Sequence, residues 1–127
     1  MINSLVYYGT ILPQMRKVQR LLPDATVRPA GSRYVCSPPV MNTDIDILAF
    51  VPVLETATTK LEANGYKLTP KPNYNFAGKP IDCFRKDKVN VIATADRFYY
   101  ETFDTATHIC KRFNLKFKDQ RVTVHEA

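Results

Sequence analysis

Residues 30 to 47 read AGSRYVCSPPVMNTDIDI, and the run continues as LAFV to residue 51. The segment from Asp44 to Val51 is rich in β-formers and reads as a buried strand. Alternate side chains of a strand share a face, so Asp44 and Asp46 lie together on one side and Ile45 and Ile47 on the other. Two neighbouring carboxylates repel each other, and leaving them uncompensated at the start of an apolar strand costs stability. A divalent cation removes the conflict, because hard oxygen ligands suit Mg²⁺. Two such ions, about 4 Å apart, are able to activate an attacking hydroxyl and stabilise a leaving pyrophosphate.

Eleven residues separate Asp44 from the preceding turn Ala30-Gly31-Ser32. Glycine lets the backbone approach a ligand closely and take conformations barred to other residues. Ser32 adds a hydroxyl, successive N–H groups of such a turn hold phosphate oxygens, and the positive Arg33 follows directly. Turn and carboxylate pair are expected to grip opposite sides of one triphosphate–magnesium unit.

Outward from this stretch, residues 11 to 22 place Leu12, Met15, Val18, Gln19 and Leu22 on one helical face. Thr10 is the expected N-cap, and Pro13 falls in the first turn, where a missing N–H does no harm. The first ten residues read equally as a short helix or an extended arm. Ala25 to Pro29 reads as a short strand, and the polar, proline-containing segment 33–43 as a loop. Val53 to Asn64 reads as a helix closed by Asn64-Gly65, and Tyr66 to Thr69 as a short strand. The segment 70–80 is a proline-rich loop. Ile81 to Arg85 and Val89 to Thr94 form a hairpin turning at Lys86-Asp87-Lys88. Asp96 caps a long helix reaching about Asn114, with Phe98, Thr102, Ala106, Ile109, Cys110 and Phe113 as its inner face. A last helix covers roughly Lys118 to Glu126. The expected architecture is therefore α/β (α+β), a single mixed sheet of about four to five strands flanked by helices.

The chain has 127 residues, 45% hydrophobic and 24% charged, which fits a single soluble domain over residues 1–127. No run approaches the roughly 18 apolar residues of a membrane span. The opening MINSLVYYGTILPQMRK shows neither a basic leader nor a cleavage site, so a cytoplasmic location is expected. Cys36, Cys83 and Cys110 form no C-x-x-C pair and read as free thiols. The formal charge of +6, from 18 basic and 12 acidic residues, suits an anionic partner such as a nucleoside triphosphate or nucleic acid. The basic residues are dispersed. Their densest run, Arg85-Lys86-Asp87-Lys88, reads as a solvated hairpin tip.

Taken together, Ala30-Gly31-Ser32, the eleven-residue gap and Asp44-Ile45-Asp46-Ile47 resemble the signature of the DNA polymerase beta-type nucleotidyltransferase superfamily, with Thr43 similar to the Ser or Thr often found before the first acid. The resemblance implies that Gly31 and Ser32 bind nucleotide phosphates with Arg33 beside them, and that Asp44 and Asp46 hold Mg²⁺ or Mn²⁺. It implies transfer of a nucleoside monophosphate, AMP from ATP foremost, to a hydroxyl of a protein, RNA or small molecule. Lys79 would help offset charge. A chain without an appended recognition domain also resembles members that depend on a partner protein or on self-association.

Members of the superfamily carry a third carboxylate on a later strand, and the matching position here is Asn90. An amide offers one oxygen but no charge and is a poor base. Asp82 substitutes only if the hairpin loop is odd in length; a two-residue loop turns it away. The alternative function is therefore a catalytically silent module of the same fold that binds nucleotide, nucleic acid or a protein partner. A third reading is a small basic adaptor whose D-x-D is a solvated strand end. Tyr74 and Phe76 are candidates for stacking on a base. Asp87 reads as a turn residue, His108 as a helix-edge residue and His125 as exposed.

Overall fold

In the computed structural model, which describes residues 7–36, 43–70, 78–115 and 118–126, the apolar run after Asp44 lies inside a five-stranded mixed sheet. The strands are β1 (Thr26–Ala30), β2 (Ile45–Phe50), β3 (Lys67–Thr69), β4 (Asp82–Lys86) and β5 (Val89–Thr94), in the order β1-β2-β5-β4-β3. The central pair β2 and β5 is parallel, and the remaining pairs are antiparallel. Ile47, Leu48 and Ala49 are all fully buried. That explains the unbroken apolar run, because a strand covered on both faces needs no polar alternation.

The covers are helices. One face carries Ile45, Ile47, Ala49, Val89, Val91, Ala93 and Phe84, packed against Met15 and Val18 of α1 (Leu12–Leu21) and Ala57 and Leu61 of α3 (Leu54–Ala63). The other face carries Ala30, Leu48 and Ile92, packed with Ile81 and with Phe103 of α4 (Arg97–Arg112). The short α2 (Gly31–Val35) and the last helix α5 (Lys118–Glu126) both pack on α4. Asp44 and Asp46 alternate with Ile45 and Ile47, so they belong to the α4 side.

Several local expectations are corrected. Thr10 does not cap α1. A π-turn, Tyr7–Ile11, runs into it, and the capping position is Ile11, without a side-chain hydrogen bond. The first strand runs one residue further than expected, through Ala30, and Gly31 opens a helical turn rather than a loop. The hairpin loop is two residues, Asp87 and Lys88, because Lys86 pairs with Val89; Asp87 takes a left-handed φ of 54°, as its reading as a turn residue required. The buried face of α4 is Phe103, Ala106, Thr107 and Cys110, whereas Phe98 and Phe113 are 80% and 67% exposed. The expected helix is present but rotated, sharing only Ala106 and Cys110 with the expected inner face. Its start is where the sequence places it: Asp96 Oδ1 accepts from Tyr99 N at 2.8 Å. The closing turn at Asn64-Gly65 is likewise observed, with Gly65 N donating to Glu62 O at 3.1 Å.

Candidate functional site

One row of side chains crosses the sheet on the α4 side. Ala30 on β1 stands opposite Asp46 on β2, Asp46 beside Asn90 on β5, and Asn90 opposite Arg85 on β4. Residues in register share a face. The row therefore brings the second acid of the D-x-D, the amide at the expected third-acid position and one cation together by backbone geometry alone. Asn90 Nδ2 donates to Asp46 Oδ1 at 3.1 Å. Arg85 reaches past Asn90 to Asp44, donating to its Oδ2 at 2.7 Å.

The glycine of the turn is fitted to the same row. Gly31 has a φ of 74°, and a Cβ placed there would lie 2.7 Å from Asp46 Cγ and 2.8 Å from Asp46 Cβ. Only a residue without a side chain allows the backbone this close to the carboxylate in this conformation. Ser32 follows as a half-buried residue of α2, its carbonyl accepting from Cys36 N at 3.0 Å. Arg33 is 7% exposed, and its guanidinium donates to the carbonyl of Thr43, the residue before Asp44. It lies on the inner side of a single helical turn, where it ties the turn to the strand start. Asp44 still feels its charge.

The two acids have opposite electrostatic settings. The Arg85 guanidinium holds the Asp44 carboxyl below the ordinary carboxylate range, helped by the nearby charges of Lys88 and Arg33. Burial pushes Asp46 the other way, up to about 6, against the opposing Asn90 hydrogen bond; repulsion from Asp44 adds to the rise, while Arg85 and Arg121 moderate it. Burial disfavours the charged carboxylate, and a neighbouring cation favours it.

Asp82 pairs with Ala93, on the face opposite Asn90, so it stands away from the row. The two-residue loop decides this, as parity requires. His108 is on the exposed side of α4, 3.4 Å from Asp104. His125 was expected to be exposed. Instead its ring lies 4.5 Å from that of Phe103, because α5 folds back on α4, and burial lowers its proton affinity. Lys79 is exposed, and Tyr74 and Phe76 lie outside the described residues. Sequence reasoning missed Arg85, Lys88 and Arg121 as neighbours of the acids. The first two were visible only as a charged hairpin tip, and their placement needed the strand register. None of the three cysteines is in a disulfide.

Asp44 and Asp46 offer the oxygen chemistry a divalent cation prefers. However, one oxygen of each is already engaged, by Arg85 and by Asn90. Among the described residues no third acid joins them. The donor set therefore does not fit a pair of divalent cations. No helix among the described residues is long and apolar enough to cross a membrane.

No protein-family model and no curated protein sequence matches the chain. Solved structures do. GrpB, a conserved protein from Enterococcus faecalis, superposes with a TM-score of 0.58 at 14% identity, over 95% of this chain and 91% of that one. The structure of the GLD-2/RNP-8 complex matches with a TM-score of 0.57 at 14% identity, over 96% of this chain and 41% of that one. A cytoplasmic RNA terminal U-transferase matches with a TM-score of 0.51 at 12% identity, over 91% of this chain. This chain spans 34% of the length of that U-transferase. Such identities speak for the fold and not for the activity. With the mixed five-stranded sheet, the Gly31 turn and the acids Asp44 and Asp46 at the start of β2, they establish that this chain has the nucleotidyltransferase fold.

Proposed function

We propose that this chain binds a nucleoside triphosphate at the Asp44–Asp46 row without transferring a nucleotide from it. The observation that carries this reading is the double engagement of the acids: Asn90 donates to Asp46, and Arg85 is paired with Asp44. Transfer by two metal ions needs acids free to hold both ions. Here the third position is an amide, and a cation already neutralises the first acid. The phosphates would meet Gly31 and Ser32 at the β1–α2 turn, next to Arg85. The basic balance of the chain favours an anionic ligand. The three cysteines, none of them in a disulfide, support placing it in a reducing compartment, the cytoplasm. GLD-2 is described in complex with RNP-8, which supports a protein partner as a further component of function.

A second reading is active transfer of a nucleoside monophosphate, AMP from ATP, with Mg²⁺ or Mn²⁺, to a hydroxyl on protein, RNA or a small molecule. It is favoured by the closeness of Asp46 to Gly31, with Asp44 two residues before it on the same face. Calorimetric titration with ATP and UTP, together with labelled-nucleotide transfer assays on the protein itself and on RNA, separates the two. Saturable binding with no labelled product is the expected result. A labelled product dependent on Asp46 would select the second reading, and absence of binding would remove both.

A further inference from the structure

The cations around the acids point to how the nucleotide is held. Arg85 pairs with Asp44 at 2.7 Å, and both side chains keep more than two fifths of their surface exposed. Lys88 is exposed at the hairpin tip, and its backbone carbonyl accepts from Ile45 N at 2.8 Å, which fixes it next to Asp44. Arg33 adds its charge to the surroundings of Asp44 and Arg121 to those of Asp46. Four cations thus lie near enough to two carboxylates to offset their charge, though only Arg85 is bonded to one of them, the reverse of the balance a metal-loaded acidic site needs. A guanidinium has five N–H donors in a planar fork that matches phosphate oxygens, and one of them serves Asp44.

Resting on the reading of this site as a nucleotide-binding site, we propose that its ligand is the metal-free polyphosphate, with Arg85 and Lys88 in the place that divalent cations take in a metal-dependent site. Chelation by magnesium cancels part of a triphosphate's charge. The cationic rim therefore favours the free anion over its magnesium complex. Asp44 acts in this arrangement as a resident counter-ion, which an incoming phosphate must displace from Arg85. The cost of breaking that pair lowers affinity in the wild type, and the exposure of the pair keeps the cost small.

The sign of one substitution distinguishes this from a metal site. In a metal-dependent site, Asp44→Asn removes a ligand to the cation and weakens nucleotide binding. Here it frees Arg85 and removes a repelling charge, so it tightens binding. The experiment is calorimetric titration of ATP into the wild type, Asp44→Asn and Arg85→Gln, each in EDTA and in excess Mg²⁺, with thermal melts confirming that the variants fold. The expected results are wild-type binding that is at least threefold tighter in EDTA than in Mg²⁺, a further gain for Asp44→Asn in EDTA, and about a tenfold loss for Arg85→Gln, the scale of one charge-assisted hydrogen bond. Binding that requires Mg²⁺ and is lost in Asp44→Asn would overturn the metal-free mode while leaving nucleotide binding intact. Absence of ATP binding in both conditions would overturn both.

Discussion

Asn90 Nδ2 and Asp46 Oδ1 meet at 3.1 Å because their residues are register partners on the parallel strands β5 and β2. A carboxylate at residue 90 would face Asp46 as a like charge at the same distance. The amide instead gives the buried acid a donor, so the site holds itself together without a cation.

This makes Asn90→Asp an informative substitution. In EDTA the variant loses a hydrogen bond and gains a repulsion, together about 1–3 kcal/mol. That corresponds to a melting temperature lower by roughly 3–8 °C. Added Mn²⁺ should restore most of the loss by occupying the rebuilt pair of acids, while the wild-type melt moves by less than about 1 °C. Scanning fluorimetry with and without Mn²⁺ reads both effects. An Asn90→Asp protein indifferent to Mn²⁺ would show that residue 90 is not placed to complete a cation site.

Asp46 sets a pH dependence of definite sign. Its folded-state value of about 6 lies above that of an unfolded aspartate, so the folded protein holds the proton more tightly. Stability is therefore highest where both states are protonated, and it falls as pH rises from about 4 to about 6. Above that range the penalty is constant, of order 2–3 kcal/mol. Asp46→Asn removes the charge and keeps an acceptor for Asn90, so at pH 7.5 it should melt roughly 6–9 °C higher than the wild type. Below about pH 4 the two melting curves should converge. A variant less stable at every pH would mean that the charge of Asp46 is compensated in the fold.

The reach of the sequence differs from residue to residue. The run after Asp44 reads as a buried strand because its β-formers follow one another without polar alternation beyond the D-x-D. Asn90 was located by counting along the second apolar strand. Arg85 was not located, because its face depends on whether the hairpin loop has two residues or three, and both Asp87 and Lys88 suit a turn of either length. The face of α4 failed for a different reason. Apolar residues occur on two overlapping stripes of that helix, and periodicity cannot rank Phe98, Ile109 and Phe113 above Phe103. The packing of α4 on the sheet, which sets Phe103 against Leu48 and Ile92, decides between them, and His125 of α5 closes over the same ring.

The rotation of α4 predicts a contrast between two phenylalanines of one helix. Phe98 is 80% exposed, and Phe103 is 8% exposed in the core cluster with Leu48 and Ile92. Phe98→Ser should change stability by less than about 0.5 kcal/mol, the usual range for surface sites. Phe103→Ala should cost about 3–5 kcal/mol, through lost burial and the cavity left beneath α4. Urea titrations of both variants measure the difference. Equal losses would mean that Phe98 is buried as fully as Phe103, against this orientation of α4.

Gly31 gives the last test, because two separate effects forbid a side chain there and a double-mutant cycle separates them. The first is conformational: at a φ of 74° an alanine is strained by roughly 1 kcal/mol. The second is steric: the added Cβ would sit 2.7 Å from Asp46 Cγ, so either the turn or the carboxylate must move. Gly31→Ala alone should cost about 2–4 kcal/mol and displace the turn from the acid row, with nucleotide binding lost in parallel. Asp46→Gly removes both the obstructing carboxylate and the Cβ that carries it, and leaves the backbone strain. In the combined variant the loss attributable to residue 31 should therefore shrink to the conformational part, a coupling of at least about 1 kcal/mol. Additive losses would mean that glycine is required at residue 31 for its φ alone, and that the closeness of the turn to Asp46 is a consequence of the fold and not a constraint on it.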